Sequence, residues 1–350
     1  MPLQPTSHTH SFDDWPKVEL HRHLEGSIRL DTMVEIAKRH ALGLPDEAAA
    51  ISRLVQVQPD DPHDATSFLS KFATIRQFFC TPEIIDRITR EAIEDAAADN
   101  IRYMELRFTP VALSRVKNFA LADVMDWVCA AAAEAGIRHG VSVRLIASNN
   151  RHEPVELAAK VADLAASRMH RGIVGIDLAG NEAAFPMHPF LPVFQRARQA
   201  GLAIVVHAGE WAGAENVRQA IEDFGADRIG HGVRVIESAD VIALARDRGT
   251  MFEVCITSNC QTGVTRTAAE HPFRRMRECG LKASLHTDDP SLSQLTLSTE
   301  YQLAVDALGV TQSELQQTII DAAEAACLPA SEKPTLVAAI RAEFARKSLG

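Results

Sequence analysis

Ala203-Ile204-Val205-Val206-His207-Ala208-Gly209-Glu210 is a short apolar run that stops in polar residues. A helix-patterned stretch at 214–224 follows it, and then a second run of the same kind, Arg228-Ile229-Gly230-His231-Gly232. Strand, helix and strand in that order make a βαβ unit, whose strands lie parallel in one sheet. The unit repeats in both directions along the chain. Candidate strands lie at 18–23, 103–108, 141–146, 173–178, 203–207, 228–232, 251–256 and 283–286, with helical patterns such as 121–135, 154–166 and 189–200 between most of them. Eight such strands predict an α/β fold, a single (β/α)8 barrel of TIM type.

One connection is irregular. About 80 residues separate the first two strands, far more than the dozen or so that a parallel crossover needs. Helical patterns at 31–39, 67–79 and 82–98 fill the gap, and the spacing predicts a helical lid inserted at the barrel mouth after the first strand. From Thr311 onward the chain is rich in Ala, Glu and Gln, which predicts extra C-terminal helices on the barrel exterior. Residues 1–15 read as a flexible polar tail, and residues 16–350 as one domain.

Composition narrows the function classes. The 350 residues include 36 Lys+Arg against 46 Asp+Glu, a net charge of −10. That balance argues against a broad electrostatic grip on nucleic acid or on anionic lipid. No apolar run approaches the ~20 residues of a membrane helix. The first 15 residues lack the basic and apolar regions of a secretion signal, and the six cysteines form no C-x-x-C pair. A cytoplasmic protein with free thiols is the expectation.

The chemistry stands at the strand ends. In Val18-Glu19-Leu20-His21-Arg22-His23 the two histidines are two apart, so on a strand they share a face. Further along come His207 and Glu210, then His231, then His286-Thr287-Asp288-Asp289-Pro290. In a barrel these ends meet at one mouth, where active sites of this fold sit. Three histidines and a carboxylate from this set suffice for a Zn²⁺ shell with a position left for water. Each piece alone has a plainer reading. His8-Thr9-His10 repeats the spacing within the polar tail, His207 could be a core histidine, and Asp288-Asp289 before proline could be a turn or helix cap. The convergence of several such features favours a metal site. H-E-x-x-H is absent, as is H-x-E with a P-C-x-x-C partner, which removes two other zinc chemistries. No lysine follows the fourth strand, so one metal is expected rather than two.

The ordered set of motifs resembles the adenosine deaminase family of the amidohydrolase superfamily. It runs from 16–27 through Asp177-Leu178-Ala179-Gly180-Asn181-Glu182, His207-Ala208-Gly209-Glu210, Gly230-His231-Gly232 and Thr257-Ser258-Asn259 to Thr287-Asp288-Asp289-Pro290. The resemblance implies that His21, His23, His207 and Asp288 hold one Zn²⁺ per chain. It implies that Glu210 shuttles a proton, that His231 orients the attacking water, and that His23, Gly180 and Asp289 contact the purine. It places Phe68 and Phe72 on a lid helix over the substrate, although two phenylalanines four apart also suit plain core packing. Glu25 faces the ribose end, where many members carry Asp. Asn181 and His286 also depart from common forms.

The activity so implied is hydrolytic deamination of adenosine and 2′-deoxyadenosine, a small-molecule purine partner with no nucleic acid and no membrane. Adenosine is expected over free adenine and over AMP, because the negative charge of Glu25 would repel a 5′-phosphate and no Lys/Arg cluster is assigned to neutralise one. The alternatives are a related 6-aminopurine (aminodeoxyfutalosine or adenine), a different metal-dependent amide hydrolase on the same barrel, and a non-catalytic binding protein. The sequence leaves the oligomeric state open.

Overall fold

A computed structural model describes residues 12–347. Its eight strands are β1 (Lys17–His23), β2 (Ile101–Phe108), β3 (Ser142–Asn150), β4 (Ile173–Ala179), β5 (Ala203–Ala208), β6 (Arg228–His231), β7 (Met251–Val254) and β8 (Lys282–Leu285). They pair in parallel and in sequence order. The ring is closed where His23 N–H donates to the Asp288 carbonyl and Asp288 N–H to the His21 carbonyl, both at 2.8 Å. This is the (β/α)8 barrel that the strand–helix alternation predicts.

Strand parity decides what faces inward. Val18, Leu20, Met104, Leu106, Ile204, Val206, Phe252 and Val254 are buried apolar residues, on the parity that packs on the outer helices. The alternate positions carry Glu19, His21, Glu105, Arg107, Asp177, His207, Arg228 and Glu253, all buried. Hydrogen bonds among them across the strands mark that side as the barrel interior. Branched aliphatic residues usually fill this space; here much of it is charged.

Three expectations about the connections need correction. Residues 67–79 are not one helix: Ala65–Ser70, capped by Asp64, is followed by a short helix Phe72–Ile75 and a tight turn Arg76–Phe78. The helix Pro82–Ala98 is not part of the lid, because it packs on the helix Leu121–His139 and on β2 as a barrel helix does. β7 stops at Val254, and Ile256–Gln261 is a helix rather than strand end. At the C-terminus, Gln312–Ala325 packs on β8 and β1 as the eighth barrel helix, and Lys333–Lys347 follows it.

Residues 1–11, with the His8/His10 pair, lie outside the described residues. The packed chain begins earlier than position 16. Phe12 is buried, edge-on to Trp15 and Tyr301 at 4.9 and 6.3 Å, and Trp15 stands edge-on to Phe344 at 5.2 Å. A polar average over the first 15 residues hid these two aromatic anchors. All six cysteines are free thiols. Among the described residues no helix is long and apolar enough to cross a membrane.

Candidate active site

β1 delivers His21 and His23 to the mouth on one parity, and β5 delivers His207. The centroids of the His21 and His207 rings lie 4.7 Å apart, and those of His23 and His207 5.5 Å apart. The Nε2 atoms of His21 and His23 each lie 3.3 Å from Asp288 Oδ1. Each anchoring bond is made by the other ring nitrogen: His21 Nδ1 sits 2.8 Å from Glu253 Oε2, and His207 Nδ1 sits 2.9 Å from Asp177 Oδ1. A carboxylate on Nδ1 fixes a histidine's orientation and raises the donor strength of Nε2, the usual support of a metal-binding imidazole. His21 Nε2 is buried and has no hydrogen-bond partner. Burial holds His23 well below the ordinary histidine range and also lowers His207, against the pull of their carboxylate neighbours, so both favour the neutral, ligating form.

The backbone is shaped around this cluster. A β-carbon at Gly230 would stand 2.9 Å from His21 Cε1 and 3.2 Å from the His207 ring, so only glycine admits both rings. His231 (φ 57°) and Asp288 (φ 59°) are non-glycine residues in the left-handed region, a conformation that persists where surrounding contacts over-determine it. Ser258 donates to Asp288 Oδ2 at 2.7 Å. Cys255 also approaches His231 and Asp288, and burial pushes its thiol well above the ordinary range. The donor atoms of His21, His23 and Asp288, and those of His21, His207 and His231, come together closely enough to suit a divalent metal.

Glu210 stands beside this cluster in the loop after β5. Its loop is held by Glu182, which accepts the Glu210, Trp211 and Ala212 N–H groups on one oxygen at 2.5–2.9 Å and the Gly209 N–H on the other at 2.9 Å. Burial, then Asp288, Glu182 and Asp289, push the Glu210 carboxyl well above the ordinary range. Glu210 Oε2 is 3.7 Å from His231 Nε2. Asn259 holds His231 at Nδ1 at 3.2 Å and itself meets His271 Nε2 at 3.1 Å. With Nδ1 as acceptor, the His231 hydrogen is on Nε2, directed at the carboxyl groups.

A cavity opens above, lined by Glu25, Phe68, Phe72, Arg76, Gly180 and Asp289 together with His23, Glu210 and His231. Asp289 is buried with Oδ1 unpartnered. Burial, Asp288 and Glu25 push its carboxyl well above the ordinary range. A β-carbon at Gly26 would lie 1.9 Å from that oxygen, so Gly26 makes room for Asp289. Glu25 Oε1 accepts the Thr109 N–H at 2.8 Å, while its Oε2 is buried without a partner. Phe68 is buried and Phe72 half-buried, their rings 6.2 Å apart.

The structure thus gathers the sequence-derived residues into one mouth and sets His286 apart. His286 lies deeper, between Glu19 at 3.0 Å and Ser284 at 2.7 Å, and is a core histidine. Sequence reasoning missed the supports Glu253, Glu182 and Asn259 and the cavity residue Arg76. Glu253 had a signal: a lone carboxylate between Phe252 and Val254, on the inward parity. Arg76 had one too, as the next step of four after Phe68 and Phe72.

The sequence profile described as "Adenosine deaminase" matches residues 16–343. A protein from Shigella flexneri named adenosine deaminase is 37% identical over 323 residues, covering 92% of this chain and 96% of the relative. One from Escherichia coli O157:H7 with the same name matches at 37% over the same shares. Among solved structures, an adenine deaminase from Arthrobacter aurescens superposes with a TM-score of 0.87 at 27% identity, covering 95% of this chain and 99% of that one. An amidohydrolase from Burkholderia ambifaria with bound Zn gives 0.89 at 28%, covering 98% and 94%. An Arabidopsis N6-mAMP deaminase gives 0.85 at 30%, covering 95% and 99%.

Proposed function

The chain belongs to the adenosine deaminase family of hydrolytic deaminases, and from that premise we propose that it converts adenosine and 2′-deoxyadenosine to inosine and 2′-deoxyinosine with release of ammonia. In this reading His21, His23, His207 and Asp288 hold one Zn²⁺ per chain, and the protein works in the cytoplasm. The relatives named adenosine deaminase at 37% identity support the nucleoside.

When bound, the metal supplies Lewis acidity, which lowers the pKa of a water so that it is nucleophilic near neutral pH. The protein's own groups do the rest. Water adds at C6 of the purine, and the aromatic ring resists this until N1 is protonated. Glu210 delivers that proton, which is why a carboxyl that keeps its proton is needed there. His231 hydrogen-bonds the attacking oxygen through Nε2–H. N7 of a purine only accepts, so Asp289 bonds it in its protonated form, and its raised proton affinity suits that task. Gly180 offers its N–H to N3, Glu25 accepts from a sugar hydroxyl, His23 borders the ring, and Phe68 and Phe72 cover it. Ammonia leaves C6, and the 6-oxopurine remains.

The observation that carries this reading is Glu210: a buried carboxyl 3.7 Å from His231 Nε2 and beside the histidine–aspartate cluster, pushed by burial well above the ordinary carboxyl range. The test is kcat/KM for adenosine, 2′-deoxyadenosine, adenine and a nucleoside with a bulky 5′ group, under one condition. Adenosine and its deoxy form should lead. A tenfold preference for adenine or the bulky nucleoside, about 1.4 kcal/mol of transition-state binding, would remove the assignment to adenosine while leaving deamination in place.

A further inference from the structure

This inference rests on the 6-aminopurine reading and concerns the sugar end of the same cavity. The lid presents Phe68, Phe72 and Arg76 to the cavity in steps of four residues. The Arg76 guanidinium carbon lies 5.7 Å from the centre of the Phe72 ring, and its Nε is buried with no acceptor. Arg76 joins no ion pair within 4.0 Å among the described residues. Glu25 lines the same cavity with Oε2 buried and unpartnered. A cation and a carboxyl thus share one small cavity without meeting, each with a buried polar atom left over.

A buried polar atom without a partner is unfavourable, so the ligand is the natural source of both partners. A ribose hydroxyl donates and therefore suits Glu25. Arg76 only donates, and its planar fork matches a carboxylate or phosphate better than a single neutral oxygen. The Phe72 ring beside it keeps the guanidinium at the cavity wall. We propose that Glu25 and Arg76 form a subsite for an anionic 5′ substituent on a 6-aminopurine nucleoside, with Glu25 accepting from the sugar and Arg76 donating to the anion. The enzyme then accepts 5′-anionic nucleosides alongside adenosine. This revises the sequence-based expectation that Glu25 repels a 5′-phosphate with no basic residue to neutralise it: Arg76 supplies that residue in the same cavity.

The experiment measures kcat/KM of the metal-loaded enzyme for adenosine, AMP, adenosine 5′-carboxylate and the neutral, bulky 5′-methylthioadenosine. It compares the parent with Arg76→Gln and Arg76→Lys, and adds calorimetric binding of IMP against inosine. Arg76→Gln should lower the anion-to-adenosine ratio at least tenfold and abolish any preference for IMP. Arg76→Lys should fall between, and the methylthio-to-adenosine ratio should stay within about threefold. A loss confined to the carboxylate or to the phosphate identifies which anion the subsite reads. Ratios for both anions within threefold of the parent, or a methylthio ratio that falls as far, would overturn the proposal. If no 6-aminopurine is turned over by any form, the deaminase reading fails by itself, and the IMP-against-inosine binding still judges the subsite.

Discussion

In the lower half of the barrel Arg228 lies between Glu105 and Glu253, and each of its nitrogens meets an acceptor: both carboxylates, the Ala325 carbonyl and the Cys327 sulfur. Tyr103 and the Cys327 N–H complete Glu105 at 2.7 and 2.6 Å. At the mouth, on β1, in the turns after β1 and β8 and on the lid, the same kinds of group are left incomplete. His21 Nε2, Glu25 Oε2, Asp289 Oδ1 and Arg76 Nε are buried without partners. Both layers carry the cost of burying charge. Only the lower layer offsets it within the chain, which fits a scaffold. The upper layer offsets it on binding, which fits a site. Glu253 joins the two, bonding Arg228 with one oxygen and His21 and Arg107 with the other.

The contrast can be broken at either layer. The largest effect is expected at the mouth: Glu210→Gln should lower kcat by ~10²- to 10⁴-fold, the scale of a lost general acid–base, with metal content and melting temperature unchanged. Near-parental turnover would assign the proton to another group. Below, Arg228→Met strands two buried carboxylates and should cost about 3–5 kcal/mol of stability, read by denaturant unfolding. A loss of metal stoichiometry without a loss of stability would mean the layers are not divided as described.

Between the layers, Asp177→Ala frees the His207 ring and should weaken metal binding by ~10- to 100-fold, the usual effect of removing such a support, measured by competition with a chelator. An unchanged affinity would show that the carboxylate does not orient the ligand.

The smallest effect concerns Glu300, which is buried and accepts from Thr257 N–H and Oγ1–H at 2.9 and 2.5 Å. Burial pushes its carboxyl up to about 7, above an unfolded value of about 4.3. The folded state therefore holds this proton more tightly. The stability it contributes is full below about pH 4.3 and is lost as pH rises through about 7. Glu300→Gln should reduce the loss of stability between pH 5 and 7.5 by on the order of 2–3 kcal/mol. Parallel pH curves for parent and variant would rule out this role for Glu300.

What the sequence made legible follows from period and position. Strand β1 could be read because Val18 and Leu20 alternate with Glu19, His21 and His23 at the strand period, and β5 and β6 because glycine and polar residues end them abruptly. The gathering of His21, His207 and Asp288 needed only the closure of the barrel. The lid was harder. Residues 67–79 carry a helical apolar pattern throughout, and the break after Ser70 leaves no Gly or Pro to mark it. Glu182 and Asn259 were out of reach for another reason. Both stand in motifs that carry the family resemblance, but each acts through a bond to a loop or ring distant in sequence, 28 residues from Glu210 and from His231 respectively, and that role is not written in the motif.

The central claim is that the incomplete groups at the mouth form a one-metal deamination site. The most direct measurement is ammonia release from adenosine by metal-stripped protein as Zn²⁺ is added back. The account predicts no release at the start and recovery that saturates at one equivalent per chain. Full turnover by the stripped protein, or recovery that requires two equivalents, would contradict it.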